Sequence, residues 1–399
     1  MHPSRSLDIA LFLYSSLAVM VGCGGSDSGT PASQPEPDAT LDDVADAGQH
    51  VQPDSAVADV APPDVSADAL TDTTEPDVVA VDAMTDAGDP ILSPSDIRYE
   101  AVAPLRSGEQ LLFSDWNQTP NELVSIRPDG TSATKLFRVY RLWSFGAEPG
   151  GRRIAFSCGD PQQEAHYGIQ IGDAIQHTWM YDAATESISL LSHGNINDEC
   201  HTFGPAGTSL YVCRRYDFTS AGDYDGWRIG RIDLDTLAFE FLTPDLDHTF
   251  DLYPQPLPGE TSMIFGRVVW IPPDPQVISV QQMALPGSTP VAIRTDGGKP
   301  ALSPDATRYA FQKSTDGYAL YSSRLDGTDE IKLSSANGTD VAWSPDGTRV
   351  AYLRWDNAAG CSHIEIVAAD GSQATAQQRV RDCAVTGEFI AGLAWIERP

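Results

Sequence analysis

Asp198, Glu199 and His201, in the run NDECHTF, put two carboxyls and an imidazole within four consecutive positions. That combination serves acid–base chemistry and metal binding alike. His248 in DHTF and Asp340 in GTDVAW stand in similar settings, just ahead of an apolar run. All five are expected in loops before strands, where only a fold that gathers distant loops brings them together. The bland reading, solvated loop residues, is the default for each; the sharper one is a channel-mouth site. His166, His177, His193 and His363 are scattered without metal-ligand spacing. The sequence has no Gly-x-Ser-x-Gly elbow, no phosphate-cradling glycine loop and no Cys-x-x-Cys. The loop Gly222-Asp223-Tyr224-Asp225-Gly226 suits Ca²⁺ by residue type, but it lacks the later ligands of an EF-hand and reads better as a polar turn. No metal and no cofactor is expected beyond that weak Ca²⁺ reading.

The chain has six cysteines. Cys361 and Cys383 are symmetric about the Asp370-Gly371 turn and are expected to bridge a hairpin, closing a loop of ~20 residues for about 3 kcal/mol. Cys200 and Cys213 are symmetric about the Pro205–Thr208 turn and are expected to pair likewise. Cys158 is the alternative partner of Cys200, on the same face of a neighbouring repeat. Whichever pairing holds, one thiol is left over, buried and inert.

The elements that must position these residues come from a repeat. VAWSPDGTRVAYLRWD, at 341–356, is echoed by ALSPDATRYAFQKS at 301–314, and more loosely by PLPGETSMIFGR, FGPAGTSLYVCRR, AEPGGRRIAFSC and PLRSGEQLLFSD. Each copy is a turn followed by an apolar triplet, from Leu111-Leu112-Phe113 to Val350-Ala351-Tyr352. The turn prolines Pro149, Pro205, Pro258, Pro304 and Pro345 are 56, 53, 46 and 41 residues apart. A second strand–turn–strand follows each copy, as in HIEIVAADGSQATAQQRVRD, and Asp-Gly suits the positive φ of such turns. Alternating apolar and polar residues mark half-buried strands, and no long amphipathic helix is evident. Six four-stranded antiparallel units that cannot bury their faces singly predict an all-β, six-bladed β-propeller over 96–399. AGLAWIERP at the C-terminus echoes VAW and is expected to complete the first blade as its innermost strand. Trp143, Trp343 and Trp395, in innermost strands, are expected to pack between blades.

What precedes the repeats differs in composition. From Gly24 to Ser95 there are 16 Asp and Glu, no Lys or Arg, and no aromatic residue. Such a segment cannot offset the entropy of ordering, so 23–95 is expected to be a disordered acidic tether. Ca²⁺ capture by its Asp run is weak, because nothing fixes a coordination shell. From Asp96 onward there are 39 acidic and 24 basic residues. Two acidic regions argue against a nucleic-acid partner. Residues 1–22 have a short apolar run of signal-peptide length. Met20-Val21-Gly22-Cys23 resembles a bacterial lipoprotein box. That resemblance implies cleavage before Cys23, lipid on its thiol, and anchoring to a membrane. Gly24 after the cysteine implies, by analogy with enterobacterial sorting, the outer membrane or cell surface.

SPDGTRVAY and SPDATRYAF resemble the repeats of TolB-like, WD-repeat-like propellers over roughly 96–399. The motif encodes a hairpin, so the resemblance implies the fold and an envelope setting more than a chemistry. The reading that follows is a monomeric, lipid-anchored, non-catalytic propeller that binds an envelope protein or glycan. The alternative is a polysaccharide lyase or hydrolase using Asp198, Glu199, His201, His248 and Asp340.

Overall fold

A computed structural model describes residues 93–117, 120–159, 175–194, 196–216, 226–271, 275–372, 378–381 and 389–399. The signal segment, Cys23, the tether as far as residue 92, His166, Cys383 and most of the 222–226 loop lie outside the described residues.

Each sequence repeat is one antiparallel unit, and the second and third units are joined into a single eight-stranded sheet by a parallel bridge between Gln176 and Asn197. The first comprises β1 (Glu100–Ala101), β2 (Gly108–Asp115), β3 (Asn121–Ile126) and β4 (Thr134–Val139). The second has β5 (Leu142–Ala147), β6 (Arg153–Gly159), β7 (Gln176–Asp182) and β8 (Ser187–Leu190). The third has β9 (Ile196–Phe203), β10 (Ser209–Tyr216), β11 (Arg228–Asp233) and β12 (Phe239–Phe241). The fourth has β13 (Thr249–Pro256), β14 (Ser262–Val269), β15 (Val277–Ala284) and β16 (Val291–Arg294). The fifth has β17 (Gly297–Leu302), β18 (Arg308–Lys313), β19 (Ala319–Arg324) and β20 (Ile331–Asn337). The sixth has β21 (Thr339–Trp343), β22 (Arg349–Asp356), β23 (Cys361–Ala368) and β24 (Gln378–Arg381). The last strand, β25 (Ile390–Arg398), pairs with β2 from Gly108↔Arg398 to Asp115↔Ile390, so the C-terminus supplies the innermost strand of the first sheet. There β1 pairs with β4 as an extra outer strand, making this blade five-stranded where four were expected.

The apolar triplets explain why six sheets make a wheel. All eighteen triplet side chains are at most 1% exposed. Successive residues of a strand face opposite sides of the sheet, so the middle residue packs toward one neighbouring blade and the flanking pair toward the other. Leu112 shares a cluster with Ile154 and Phe156 of the second blade. Ala155 then meets Leu210 and Val212, and Tyr211 meets Met263 and Phe265. Ile264 meets Tyr309 and Phe311, and Ala310 meets Val350 and Tyr352. Ala351 returns to Leu111 and Phe113, closing the circle. Each fully buried large apolar side chain contributes about 1.5–3 kcal/mol. No blade has both faces covered until its two neighbours are in place. Trp343 and Trp395 are buried in these inter-blade clusters, as expected.

Every innermost strand also carries one extra residue relative to its partner. The register slips between Leu142 and Ser144 in β5, Glu199 and Thr202 in β9, and Leu252 and Gln255 in β13. It slips again between Gly298 and Ala301, Thr339 and Ala342, and Ala391 and Ala394. Such β-bulges bend a strand and re-aim a side chain. In five of the six the bulged residue has positive φ: Cys200 (55°), Tyr253 (57°), Lys299 (51°), Asp340 (48°) and Gly392 (63°). At Gly392 a side chain would run into the Phe145 ring, 2.6 Å from where a Cβ would sit. Because the bulge recurs in every blade it belongs to the architecture; what varies is the side chain it presents.

Candidate binding site at the channel mouth

The bulged residues Trp143, Cys200, Tyr253, Lys299, Asp340 and Gly392 all line one cavity on the propeller axis. Its volume is about 160 Å³, space for on the order of five waters. The lining is lopsided. Blades six, one and two contribute Leu353, Trp355, Phe389, Ile390, Leu393, Trp143 and Phe145. Across from them, blades three to five and the first residues of β21 contribute Glu199, His201, Thr202, Gln255, Lys299, Thr339 and Asp340.

His201 is fixed by a chain of hydroxyls. Thr178 Oγ1 donates to Asp198 Oδ2 at 2.8 Å, which leaves it only an acceptor role toward His201 Nε2 at 3.1 Å. The imidazole therefore carries its proton on Nε2. Nδ1 then accepts from Ser144 Oγ at 3.1 Å, and Ser144 Oγ accepts from the Cys200 backbone N–H at 2.9 Å. Burial holds the ring neutral, with its pKa lowered to about 4. Asp198 sits fully buried behind the wall. Burial pushes its carboxyl up, but the bidentate Arg214 pair at 2.6 and 2.8 Å, with donors Ser192 and Thr178, leaves it below the usual range. The fourth blade repeats this device: Asp251 takes a bidentate pair from Arg267 at 2.6 and 2.8 Å. Gly146 lets the second and third blades approach here, since a Cβ would lie 2.0 Å from the His201 carbonyl oxygen.

Three ionisable groups of the polar arc have no ion-pair partner among the described residues. Glu199 opens onto the cavity but is otherwise surrounded by protein; burial pushes its carboxyl up to about 8, with Arg215 only partly opposing. Lys299 Nζ donates to Thr339 Oγ1 at 2.9 Å and lies 5.5 Å from the Tyr253 ring centre, with no carboxylate at ion-pair distance among the described residues. Asp340 is half-buried with no side-chain partner among the described residues. On the opposite arc, Trp143 packs edge-on against Trp116 at 4.9 Å, and Phe389 lies 5.6 Å from Trp116 and 6.4 Å from Trp355. These half-buried rings form an aromatic shelf at the mouth. Among the described residues, no group of three or more His, Cys, Asp or Glu side chains is placed to hold a metal.

No protein-family model matches the chain, and no curated protein matches it in sequence. Solved structures do match in shape. TolB from Acinetobacter baumannii superposes with a TM-score of 0.54 at 15% identity, covering 73% of this chain and 67% of that one. Kuenenia stuttgartiensis hydrazine synthase also gives 0.54, at 10% identity, covering 73% of this chain and 47% of that one. An oligogalacturonate lyase from Vibrio parahaemolyticus gives 0.42 at 12% identity, covering 72% and 76%. The fold is a TolB-like propeller. At such identities the likeness extends to the fold alone, and the fold is shared by TolB and by enzymes.

Within this TolB-like propeller, Glu199, His201 and Asp340 share the cavity, whereas Asp198 is walled off behind it. Asp198, Glu199 and His201 lie inside β9, and Asp340 inside β21, not in loops before the strands; the bulge, not a loop, delivers them. His248 does not line the cavity: it directly precedes β13, five residues short of the bulge, and so is not the counterpart of Asp340. Trp143 is a correction too, because the bulge in β5 turns it to the cavity and not between blades. Cys158, Cys200 and Cys213 are thiols. The expected Cys200–Cys213 bridge is not closed: the bulge sets Glu199, not Cys200, in register with Cys213, and the two side chains stand as neighbouring thiols. The alternative Cys158–Cys200 bridge is not formed either, since Cys158 pairs with His177 and Leu142 in a different buried cluster. Cys361 is disulfide-bonded, and its expected partner Cys383 lies outside the described residues. Sequence reasoning missed Lys299, Tyr253 and the Asp–Arg pairs. Those pairs left a signal, an Asp two residues before the bulge and an Arg 16 residues on, in both blades.

Proposed function

We propose that this chain is a lipid-anchored binding module of the bacterial envelope that holds a glycan at the mouth of its propeller channel. The observation that carries the reading is the facing of two unlike arcs across one small cavity. Half-buried charges without partners are unfavourable unless something supplies the missing contacts. A sugar ring does so, with hydroxyls for Glu199, Lys299 and Asp340 and an apolar face for the aromatic shelf. Glu199, protonated at neutral pH, acts there as a donor. Turnover is less well supported than binding: both nitrogens of His201 are already engaged with hydroxyls and Asp198 is committed to Arg214. The envelope setting rests on the lipoprotein-like box at Cys23 and the acidic segment behind it. As a flexible coil that segment reaches about 50 Å from the membrane.

The test is a glycan array probed with the full chain in detergent, beside the Lys299→Met/Asp340→Asn variant. A subset of oligosaccharides bound by the first and lost by the second is expected. No glycan bound, or equal binding by both, contradicts the assignment. Cys23→Ser should release the protein from the membrane fraction, and retention there contradicts the anchor.

A further inference from the structure

Cys200 and Cys213 stand apart from the glycan reading. Cys200 lines the cavity, at a backbone φ of 55° that non-glycine residues rarely adopt. Cys213 is fully buried on the neighbouring strand β10. The two pack into one apolar cluster, and the thiols meet in a hydrogen bond. A backbone hydrogen bond involving Tyr253 also reaches Cys213. Cys200 is thus half-buried in the channel wall, and Cys213 lies fully buried next to it on β10. Cys158, the remaining described thiol, lies in the cluster between the first and second blades and does not reach the cavity.

We propose that Cys200 and Cys213 form a thiol–disulfide exchange site whose co-substrate is a small organic disulfide entering at the channel mouth. The Cys200 thiolate attacks one sulfur of R–S–S–R, forming a mixed disulfide and releasing one R–S⁻. Cys213 gives up its proton and attacks the Cys200 sulfur, forming the Cys200–Cys213 bond and expelling the second R–S⁻. Two protein thiols are oxidised, one disulfide is reduced, and two R–SH leave. Thiols already in contact need little rearrangement to close, and access from one side alone fixes the order of attack. Closure draws the Cys200 sulfur toward β10, beside Glu199 and the Ser144–His201 chain, so the oxidised and reduced states present different polar arcs to the channel.

The experiment treats the mildly reduced full chain with oxidised glutathione, quenches with N-ethylmaleimide and maps each cysteine by peptide mass spectrometry. The expected result is loss of both Cys200 and Cys213 from the alkylated pool, joined to each other, while Cys158 is still alkylated after denaturation. Cys213→Ser should instead retain glutathione on Cys200, and Cys200→Ser should leave Cys213 unreacted. Circular dichroism checks that both variants fold, and the wild-type map needs no variant. Alkylatable Cys200 and Cys213 after exposure, a glutathione adduct that persists on wild-type Cys200, or preferential reaction at Cys158 overturns the proposal. None of these outcomes depends on glycan binding.

Discussion

The two arcs of the channel are built on the same bulged strand yet do opposite things. Beyond the Thr339–Asp340 start of β21, blades six, one and two turn mostly carbon toward the axis, and Leu353, Ile390 and Leu393 of that lining belong to the inter-blade core. Blades three to five, with Asp340 at the start of blade six, turn polar and ionisable groups toward it, braced from behind by the buried Asp198–Arg214 and Asp251–Arg267 pairs. The backbone geometry is common property, so the difference lies in which residues each bulge and its flanking positions carry. The apolar arc is part of what holds the wheel together; the polar arc spends stability on groups left unpaired. Stability and binding should accordingly separate by arc when residues are changed.

Removing Ile390–Pro399 gives the largest effect. It takes the innermost strand from blade one and uncovers Leu111 and Phe113, which are at most 1% exposed. The cooperative thermal transition should disappear, and a truncated chain that still melts cooperatively would break the closure. Arg214→Ala comes next. It leaves Asp198 as a buried, uncompensated carboxylate, at a cost of about 3–5 kcal/mol, read from the urea midpoint. A loss below about 1 kcal/mol would show that the pair does not brace the arc.

Acid comes third. His177 and His201 are held neutral, with pKa values of about 4 against 6.5 when unfolded. As pH falls the unfolded chain takes up these protons first, so stability present above about 6.5 is lost progressively toward about 4. Each imidazole accounts for on the order of 3 kcal/mol. Glu199 runs the other way: its carboxyl is raised from 4.5 to about 8, so its contribution is full below about 4.5 and fades as pH rises to about 8. Urea midpoints should therefore peak near pH 6.5, and Glu199→Gln should flatten the alkaline side and steepen the acid side above about pH 4.5. A profile whose alkaline limb is unchanged by that variant removes Glu199 from the buried wall. The smallest effect on stability is expected from Lys299→Met, within about 0.5 kcal/mol, because its half-buried ammonium gives up one hydrogen bond to Thr339 and no ion pair among the described residues.

Much of this wheel was legible in the sequence because the repeat is written in burial. The triplets from Leu111-Leu112-Phe113 to Val350-Ala351-Tyr352 alternate faces, and alternation specifies both neighbours at once. The C-terminal Leu393-Ala394-Trp395 was readable as a closing strand for the same reason. The bulges were not legible: Cys200, Tyr253, Lys299 and Asp340 share no side-chain chemistry, and only Gly392 announces a positive φ. Consequently Lys299 and Tyr253 went unnoticed, Trp143 was assigned to packing, and the cysteine register slipped by one residue. The extra strand β1, two residues long, is too short to leave a pattern.

Trp143 and Trp355 stand in the cavity wall, where their fluorescence reports what enters it. Titrating the full chain with the oligosaccharides retained on the array should give a saturable change in tryptophan emission. That change should vanish in Lys299→Met/Asp340→Asn, while its urea midpoint stays with that of the wild type. Saturation that persists in the double variant, or emission that never responds in the wild type, would contradict the claim that the two arcs together form the binding site.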